Sequence, residues 1–309
     1  MRKKEYLYFY IFLFSVFALT SCSKDFDKLP IMNSKQLEQT DISSHMEARI
    51  VGGKNLVYCS TFQLSWNELK NNIIKEDIKL NQEIDIVSKL NKGLSTKLDI
   101  DDKDYVAMVG MKKDNIVQTI NTQLVKKFNP STPKLIDELR NDDDILAYSY
   151  LYKSLKFAHK FEIIKNDIVF KDGTKSKNVS AFGLEEYSSN NHQKYRDLVD
   201  IIDYKSDLDF IIRLHSNTQS DEIIIANISP QDTLLKTLEM IDNRVKNGKQ
   251  QSLAERDTLQ IPKLSFNLSH SFSELTGKYL SNNNFTKYYI SEAKQDITFQ
   301  LDENGAQLE

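Results

Sequence analysis

The chain has 309 residues, with 41 Lys and Arg against 44 Asp and Glu, five His and a formal net charge of −3. Balanced charge without a Lys/Arg cluster excludes the basic footprint of a nucleic-acid binder, and the length suffices for one large domain or two small ones. Two cysteines, nine glycines and five prolines predict long elements held by an apolar core, not by disulfides and tight turns.

Arg2, Lys3 and Lys4 open the chain, and an apolar run follows from Tyr6 to Ala18. That run is short against the roughly 20 residues of a bilayer-spanning helix. It ends in Leu19-Thr20-Ser21-Cys22, where a cleavage site belongs. The segment resembles the signal of bacterial lipoproteins, whose Leu-x-small-Cys box presents a thiol for diacylglyceryl transfer before cleavage. The resemblance implies a signal peptide over 1–21 and a mature chain tethered to the membrane by an acylated Cys22. It also implies a place in the bacterial cell envelope, at the outer membrane, on the periplasmic or the surface side. An ordinary secretory signal with a chance Cys and a membrane anchor are the alternatives. Loss of the three basic residues and one acid of 1–21 would shift the net charge from −3 to −5. Residues 22–45 are polar and predict a flexible tether, which leaves 46–309 as the folded domain. Ser23-Lys24-Asp25-Phe26-Asp27 is similar to the surface-export signals of some Gram-negative lipoproteins.

The apolar spacing predicts amphipathic helices over 62–75, 77–92 and 103–128, the last stopped by Pro130 and Pro133. Strand-like segments follow at 145–157, 163–170, 179–182, 198–204, 209–214 and 223–228. The last of these is a continuous apolar run, as in a strand buried on both faces. Residues 230–247 return to helix, and strands reappear at 258–268 and 288–301. Helices first and strands later, without regular alternation, predict an α+β fold with a large, mostly antiparallel sheet. Cys59 sits in the apolar run Leu56-Val57-Tyr58-Cys59 and reads as a buried, inert thiol. Trp66 falls on the apolar face of the first helix. Tyr148, Tyr150 and Tyr152 alternate as strand residues do and are expected to pack between layers.

Several motifs are incomplete. Arg49-Ile50-Val51-Gly52-Gly53 matches the activation site of trypsin-like proteases, but the His and Ser motifs of that family are missing. Gly53-Lys54 lacks the rest of a phosphate loop. Asp99, Asp101 and Asp102 begin like a calcium loop, but Asp104 and Gly110 stand where Gly and Glu are needed. Asp142-Asp143-Asp144 reads as a helix-to-strand turn. His45, His159, His192, His215 and His270 share no metal-binding spacing, and no Gly-x-Ser-x-Gly elbow occurs. The sequence therefore predicts no enzyme, no cofactor and no metal.

The strand-rich half resembles the serpin family. Ile145–Phe161 runs parallel to the family segment Asn-Ala-x-Tyr-Phe-Lys-Gly-x-Trp-x-x-x-Phe, with Tyr152, Phe157 and Phe161 on its aromatic positions. Phe170-Lys171-Asp172-Gly173 and Val179-Ser180-Ala181-Phe182 are similar to the strand after it. Ile202-Asp203-Tyr204-Lys205 with Phe210–Leu214, Ile261-Pro262-Lys263-Leu264-Ser265, and Ile297–Ala306 follow in the family's order. The resemblance covers about residues 55–309, best from 145 onward.

The resemblance implies helices packed on large, mostly antiparallel sheets, lacking the last family strands, and a protein partner, a protease or another protein. Inhibitors of the family trap proteases by inserting a cleaved loop as an extra strand. Glu303, Asn304, Gly305 and Ala306 fall on the hinge of that loop, and the chain ends at Glu309 inside it. The resemblance places Cys59 and Phe62 where the family has switch hydroxyls, Ser149 where it has Asn, and Gln295 where it has His. Those four changes, and bulky Leu308 after the hinge, argue against loop insertion. The expectation is a tethered, non-catalytic, protein-binding lipoprotein with a β-sheet edge left open beside 223–228. The alternatives are a surface glycan binder with an aromatic platform, and a working serine or cysteine protease inhibitor in a full-length form.

Overall fold

The computed structural model describes residues 7–10, 30–33, 37, 39–129, 131, 133–171, 176–185, 194–195, 197–218, 221–254 and 257–309. Cys22, the polar stretch 23–29, Asp172, Gly173 and His192 lie outside the described residues. The strands are β1 (Leu7–Tyr10), β2 (Met32–Asn33), β3 (Thr40–Ser43), β4 (Asn55–Tyr58), β5 (Tyr105–Met111), β6 (Ile145–Leu151), β7 (Lys153–Lys156), β8 (Glu162–Ile163), β9 (Ile168–Lys171), β10 (Ser176–Val179), β11 (Ala181–Leu184), β12 (Val199–Ser206), β13 (Asp209–His215), β14 (Asp221–Asn227), β15 (Gln251–Ser252), β16 (Leu259–Pro262), β17 (Leu264–Ser271), β18 (Lys294–Asp302) and β19 (Gly305–Leu308). The helices are α1 (Thr61–Glu68), α2 (Asp85–Asn91), α3 (Ile116–Phe128) and α4 (Leu234–Asn247), with a π-turn over Leu69–Ile74 that prolongs α1. The architecture is α+β, with helices on large, mostly antiparallel sheets, as the sequence predicts.

Two compact units divide the chain. The first comprises Met1–Val57, Lys153–Leu268 and Ile297–Leu308. One of its sheets orders β1-β14-β13-β12-β15, another β2-β17-β18-β19-β7, and a three-stranded sheet orders β16-β11-β8. Ile223, Ile224 and Ile225 of β14 are all buried, so the apolar run marks a strand covered on both faces. α4 begins at Thr233, whose side chain accepts from the Lys236 N–H at 3.3 Å and so satisfies one of the free donors of the first turn. Its face packs Ile241 against Ile202, Ile211 and Ile224.

The second unit comprises Tyr58–Tyr152, Ser269–Asp296 and Glu309. One core gathers Trp66, Ile74, Ile78, Leu90, Phe272 and Leu275. Another packs α3, through Ile120, Leu124 and Phe128, against Val106 and Tyr150. Trp66 is buried, and its indole N–H donates to Asn91 Oδ1 at 2.9 Å. Tyr150 lies edge-on to Phe128 with ring centroids 4.8 Å apart, so the alternating tyrosines pack as expected.

Four sequence expectations are corrected. Residues 103–128 are not one helix: Tyr105–Met111 is a strand paired along its whole length with Ile145–Leu151, and the helix starts at Ile116. Asn115 breaks the chain there with φ 58°. Only Asp85–Asn91 of 77–92 is helical. The Asn91 side chain instead holds both the N–H and the C=O of Ile78, and Asn282 holds the N–H of Lys79 and the C=O of Asp77. The late strand is Lys294–Asp302 and not 288–301, because Lys278–Tyr289 folds back on itself through backbone bonds such as Leu280 N–H to Tyr288 O at 2.9 Å. Within the stretch read as a tether, Thr40–Ser43 pairs with Asn55–Tyr58, and Asn55 donates to Gln39 O at 2.7 Å.

Candidate functional site

The residues that the resemblance reads as a hinge form a tight hairpin in the first unit. β18 alternates Ile297, Phe299 and Leu301 into the core and turns at Glu303-Asn304. Asp302 Oδ1 accepts from the Asn304 N–H at 2.7 Å and from its amide at 3.1 Å, an Asx turn that sets the reversal. β19 then runs back antiparallel to β18, from Asp302↔Gly305 to Phe299↔Leu308. Its other edge pairs antiparallel with β7, from Gly305↔Lys156 to Leu308↔Lys153. β19 is therefore an interior strand. Leu308 is buried, so the residue expected to obstruct insertion is accommodated.

The turn is held from several directions. The Phe157 N–H donates to Asn304 O and the Phe161 N–H to Glu303 O, both at 3.0 Å. Phe157 and Phe161 pack edge-on at 4.9 Å, and Tyr195 stacks on Phe161 at 5.6 Å, which fixes the 157–161 bend. Gly305 has φ 149° and meets β7 so closely that a Cβ would lie 2.0 Å from Leu155 O. Only glycine permits that approach. The Glu303 side chain is 6% exposed and is paired with Lys263 and, at 3.1 Å, with Lys160. Burial alone would raise its pKa, but the bonds from Lys263 and Lys160 and from its own backbone N–H outweigh that, and the carboxyl is held below the usual range. It is therefore ionised at neutral pH.

The switch-like positions lie in the second unit, and three of the four converge. Gln295 is 4% exposed. Its amide donates to Cys59 O at 3.0 Å and to Thr61 Oγ1 at 2.7 Å. Ser149 Oγ donates to Thr61 O, and Ser65 Oγ lies 2.9 Å from Ser149 Oγ. Thr61 Oγ1 is 3.6 Å from Cys59 Sγ. The Cys59 thiol is buried, and burial pushes its pKa up, which leaves it protonated and inert. Phe62, the fourth position, packs on Phe272 with ring centroids 4.3 Å apart and takes no part in the polar network. The hydroxyls at this helix start come from Thr61 and Ser65, which the sequence reading passed over. Lys160 and Lys263 were likewise missed as partners of Glu303, although Lys263 stands in the quoted Ile261-Pro262-Lys263 segment.

Further ion pairs lie elsewhere in the first unit. Lys153 and Asp221 form an ion pair at 2.6 Å with side chains 3% and 5% exposed. His215 Nε2 lies 2.6 Å from Asp200 Oδ2, and Arg213 bridges Asp200 and Glu222 at 3.5 and 3.1 Å. Among the described residues no cluster of three or more His, Cys, Asp or Glu is arranged to hold a metal, and no helix is long and apolar enough to cross a membrane.

No protein-family model matches the chain, and no curated protein matches it. Solved structures do. A myxomaviral serine protease inhibitor is 11% identical, over 84% of this chain and 94% of that one, with a TM-score of 0.48. The cleaved viral serpin CrmA is 15% identical, over 81% and 89%, with a TM-score of 0.44. Loop-cleaved human thyroxine-binding globulin is 9% identical, over 80% and 85%, with a TM-score of 0.42.

Proposed function

We propose that this chain is a serpin-like, non-catalytic, protein-binding lipoprotein, held in the bacterial envelope by an acylated Cys22, that does not trap proteases by loop insertion. The observation that carries this reading is the seating of β19 between β7 and β18. Trapping inserts the residues after the hinge into the sheet only once the loop is cut, and here those residues already lie in it as a strand, so no insertion is left for a protease to trigger. The Glu303 clamp and the Gly305 contact hold them there. The Cys22 anchor and the envelope location rest on the lipobox and the short apolar run before it.

The test is incubation with trypsin-like, chymotrypsin-like, subtilisin-like and papain-like proteases. The reading expects reversible binding to at least one active-site-blocked protease and no SDS-resistant adduct with any active one. An SDS-resistant adduct would overturn the non-trapping mode, and absence of binding to the whole panel would overturn the protease as partner.

A second reading, glycan binding, is favoured by one observation. Tyr279 and Tyr289 are 47% and 54% exposed, with ring centroids 5.5 Å apart, a surface on which a sugar ring can stack. Glycan-array binding abolished by Tyr279→Ala and Tyr289→Ala, with the melting temperature unchanged, would promote it.

A further inference from the structure

α4 ends against β12, and the two leave a cleft between them. A Cβ on Gly248, just after the helix, would lie 2.4 Å from Ile202 O, so the helix end sits directly on the strand. Asn243, Arg244 and Asn247 line the cleft from the helix, Asp203 and Tyr204 from β12, and Gln251 from β15, whose backbone pairs with Ile201. The space measures about 570 Å³, within the roughly 300–1,000 Å³ of small-molecule sites. Its lining comes wholly from stretches 201–205 and 243–251 of the first unit, so it needs no other segment to form.

The polar groups are held in place before any ligand arrives. Arg244 Nε donates to Asp203 Oδ2, and Nη1 lies by Asp209 Oδ1, both at 2.6 Å. The Asn247 amide donates to Asn243 O at 2.8 Å and to Asn243 Oδ1 at 3.0 Å. Asn247 Oδ1, the Asn243 amide nitrogen and the Gln251 amide remain without a hydrogen-bond partner among the described residues. Tyr204 is 58% exposed, and its hydroxyl donates to Asp207 Oδ1, which fixes the orientation of a largely open ring. Lys205, Arg244 and Lys249 are set against Asp203 and Asp209, and the helix C-terminus adds about half a negative charge. The cleft is therefore close to neutral. An apolar ligand would strand its amides, and a polyanion would meet its carboxylates and the helix end.

We propose that the cleft between the end of α4 and β12 is a binding site for a neutral saccharide of one or two rings. Sugar hydroxyls both donate and accept, so they match the acceptor on Asn247, the donors on Asn243 and both kinds on Gln251. The C–H face of a pyranose packs on an aromatic ring, as Tyr204 presents. Partners already held in place lower the ordering cost of binding. The site is separate from the Tyr279 and Tyr289 surface, which lies in the second unit, and it does not depend on a protease as partner.

The experiment is ligand-observed NMR titration of the full chain with maltose, cellobiose, lactose and diacetylchitobiose. At least one should bind, with an affinity that does not change between low and high salt. Tyr204→Ala and Asn247→Ala should each weaken it about three- to tenfold, the worth of one ring contact or one hydrogen bond. Both side chains are exposed, so the melting temperature should stay unchanged. Tyr279→Ala should leave the affinity as it is. Failure of all four sugars to bind would overturn the proposal, and binding indifferent to both cleft variants would overturn the site. Binding that collapses as salt rises would overturn the neutral ligand in favour of a charged one.

Discussion

Replacing Glu303 by Gln removes one charge from a cluster of three. Lys160 is 56% exposed and can turn into water at little cost. Lys263 is 15% exposed and would be left largely buried without its counter-charge. Breaking a fully buried pair costs about 3–5 kcal/mol, and the remaining exposure of Lys263 brings the expectation down to roughly 2–3 kcal/mol. At about 2–4 °C per kcal/mol, the melting transition should fall by roughly 4–12 °C. The assay is thermal unfolding of wild type, Glu303→Gln, Lys263→Met and the double variant. The double should lose much less than the sum of the singles, because each single strands a charge that the double removes. Additive losses, or a Glu303→Gln transition within 1 °C of wild type, would refute the clamp; that threshold is about the effect of a few tenths of a kcal/mol. The pH dependence has a fixed sign. The Glu303 pKa is lowered on folding, so its stabilisation is fully present above the unfolded value of about 4.3 and is lost as pH falls through the lowered folded value. Glu303→Gln should flatten stability in that acid window and leave its shape near neutrality unchanged.

Three further outcomes are expected. Gly305→Ala should force β19 away from Leu155 O, cost about 1–3 kcal/mol, and make the segment after Asp302 the first site of limited proteolysis. Gln295→Leu removes both donors to Cys59 O and Thr61 Oγ1, leaving buried acceptors unpaired. It should cost about 1–3 kcal/mol in unfolding experiments, and it should speed labelling of Cys59 by a water-soluble thiol reagent, which is otherwise slow until the protein unfolds. Cys22→Ala should abolish incorporation of labelled palmitate and move the protein out of the detergent phase; equal incorporation in the variant would sink the lipid anchor.

Much of the fold was legible where burial leaves a local mark. The run Ile223–Ile225 named a strand covered on both faces, and the spacing of Ile116, Ile120 and Leu124 named α3. The misreadings arise where a distant partner decides. Val106 and Val109 fit a helical stripe, yet pairing with Ile145–Leu151 turns their segment into a strand. Ile78, Leu80 and Ile84 also fit one, yet Asn91 and Asn282 fasten that backbone in an irregular path. The reversal at Asp302-Glu303-Asn304-Gly305 carries a local signal, Asp for an Asx turn and Gly for the close approach, although the segment was singled out only through the resemblance. Its clamp was not, because Lys160 and Lys263 come from remote segments and carry no mark of their own. At the switch, a one-residue choice separated Phe62, which faces an aromatic core, from Thr61, whose hydroxyl binds Gln295. A hydroxyl-rich helix start, Ser60-Thr61 and Ser65, was the available signal.

The account turns on whether the residues after the hinge occupy the strand position between β7 and β18. Amide hydrogen exchange of Ala306, Gln307 and Leu308 reads this directly. An interior strand exchanges only when the sheet opens, so all three amides should be protected to the level of Phe299 and Leu301 in β18. Exchange at the rate of a free chain end, with Phe299 and Leu301 still protected, would place β19 outside the sheet and reopen the position that loop insertion requires.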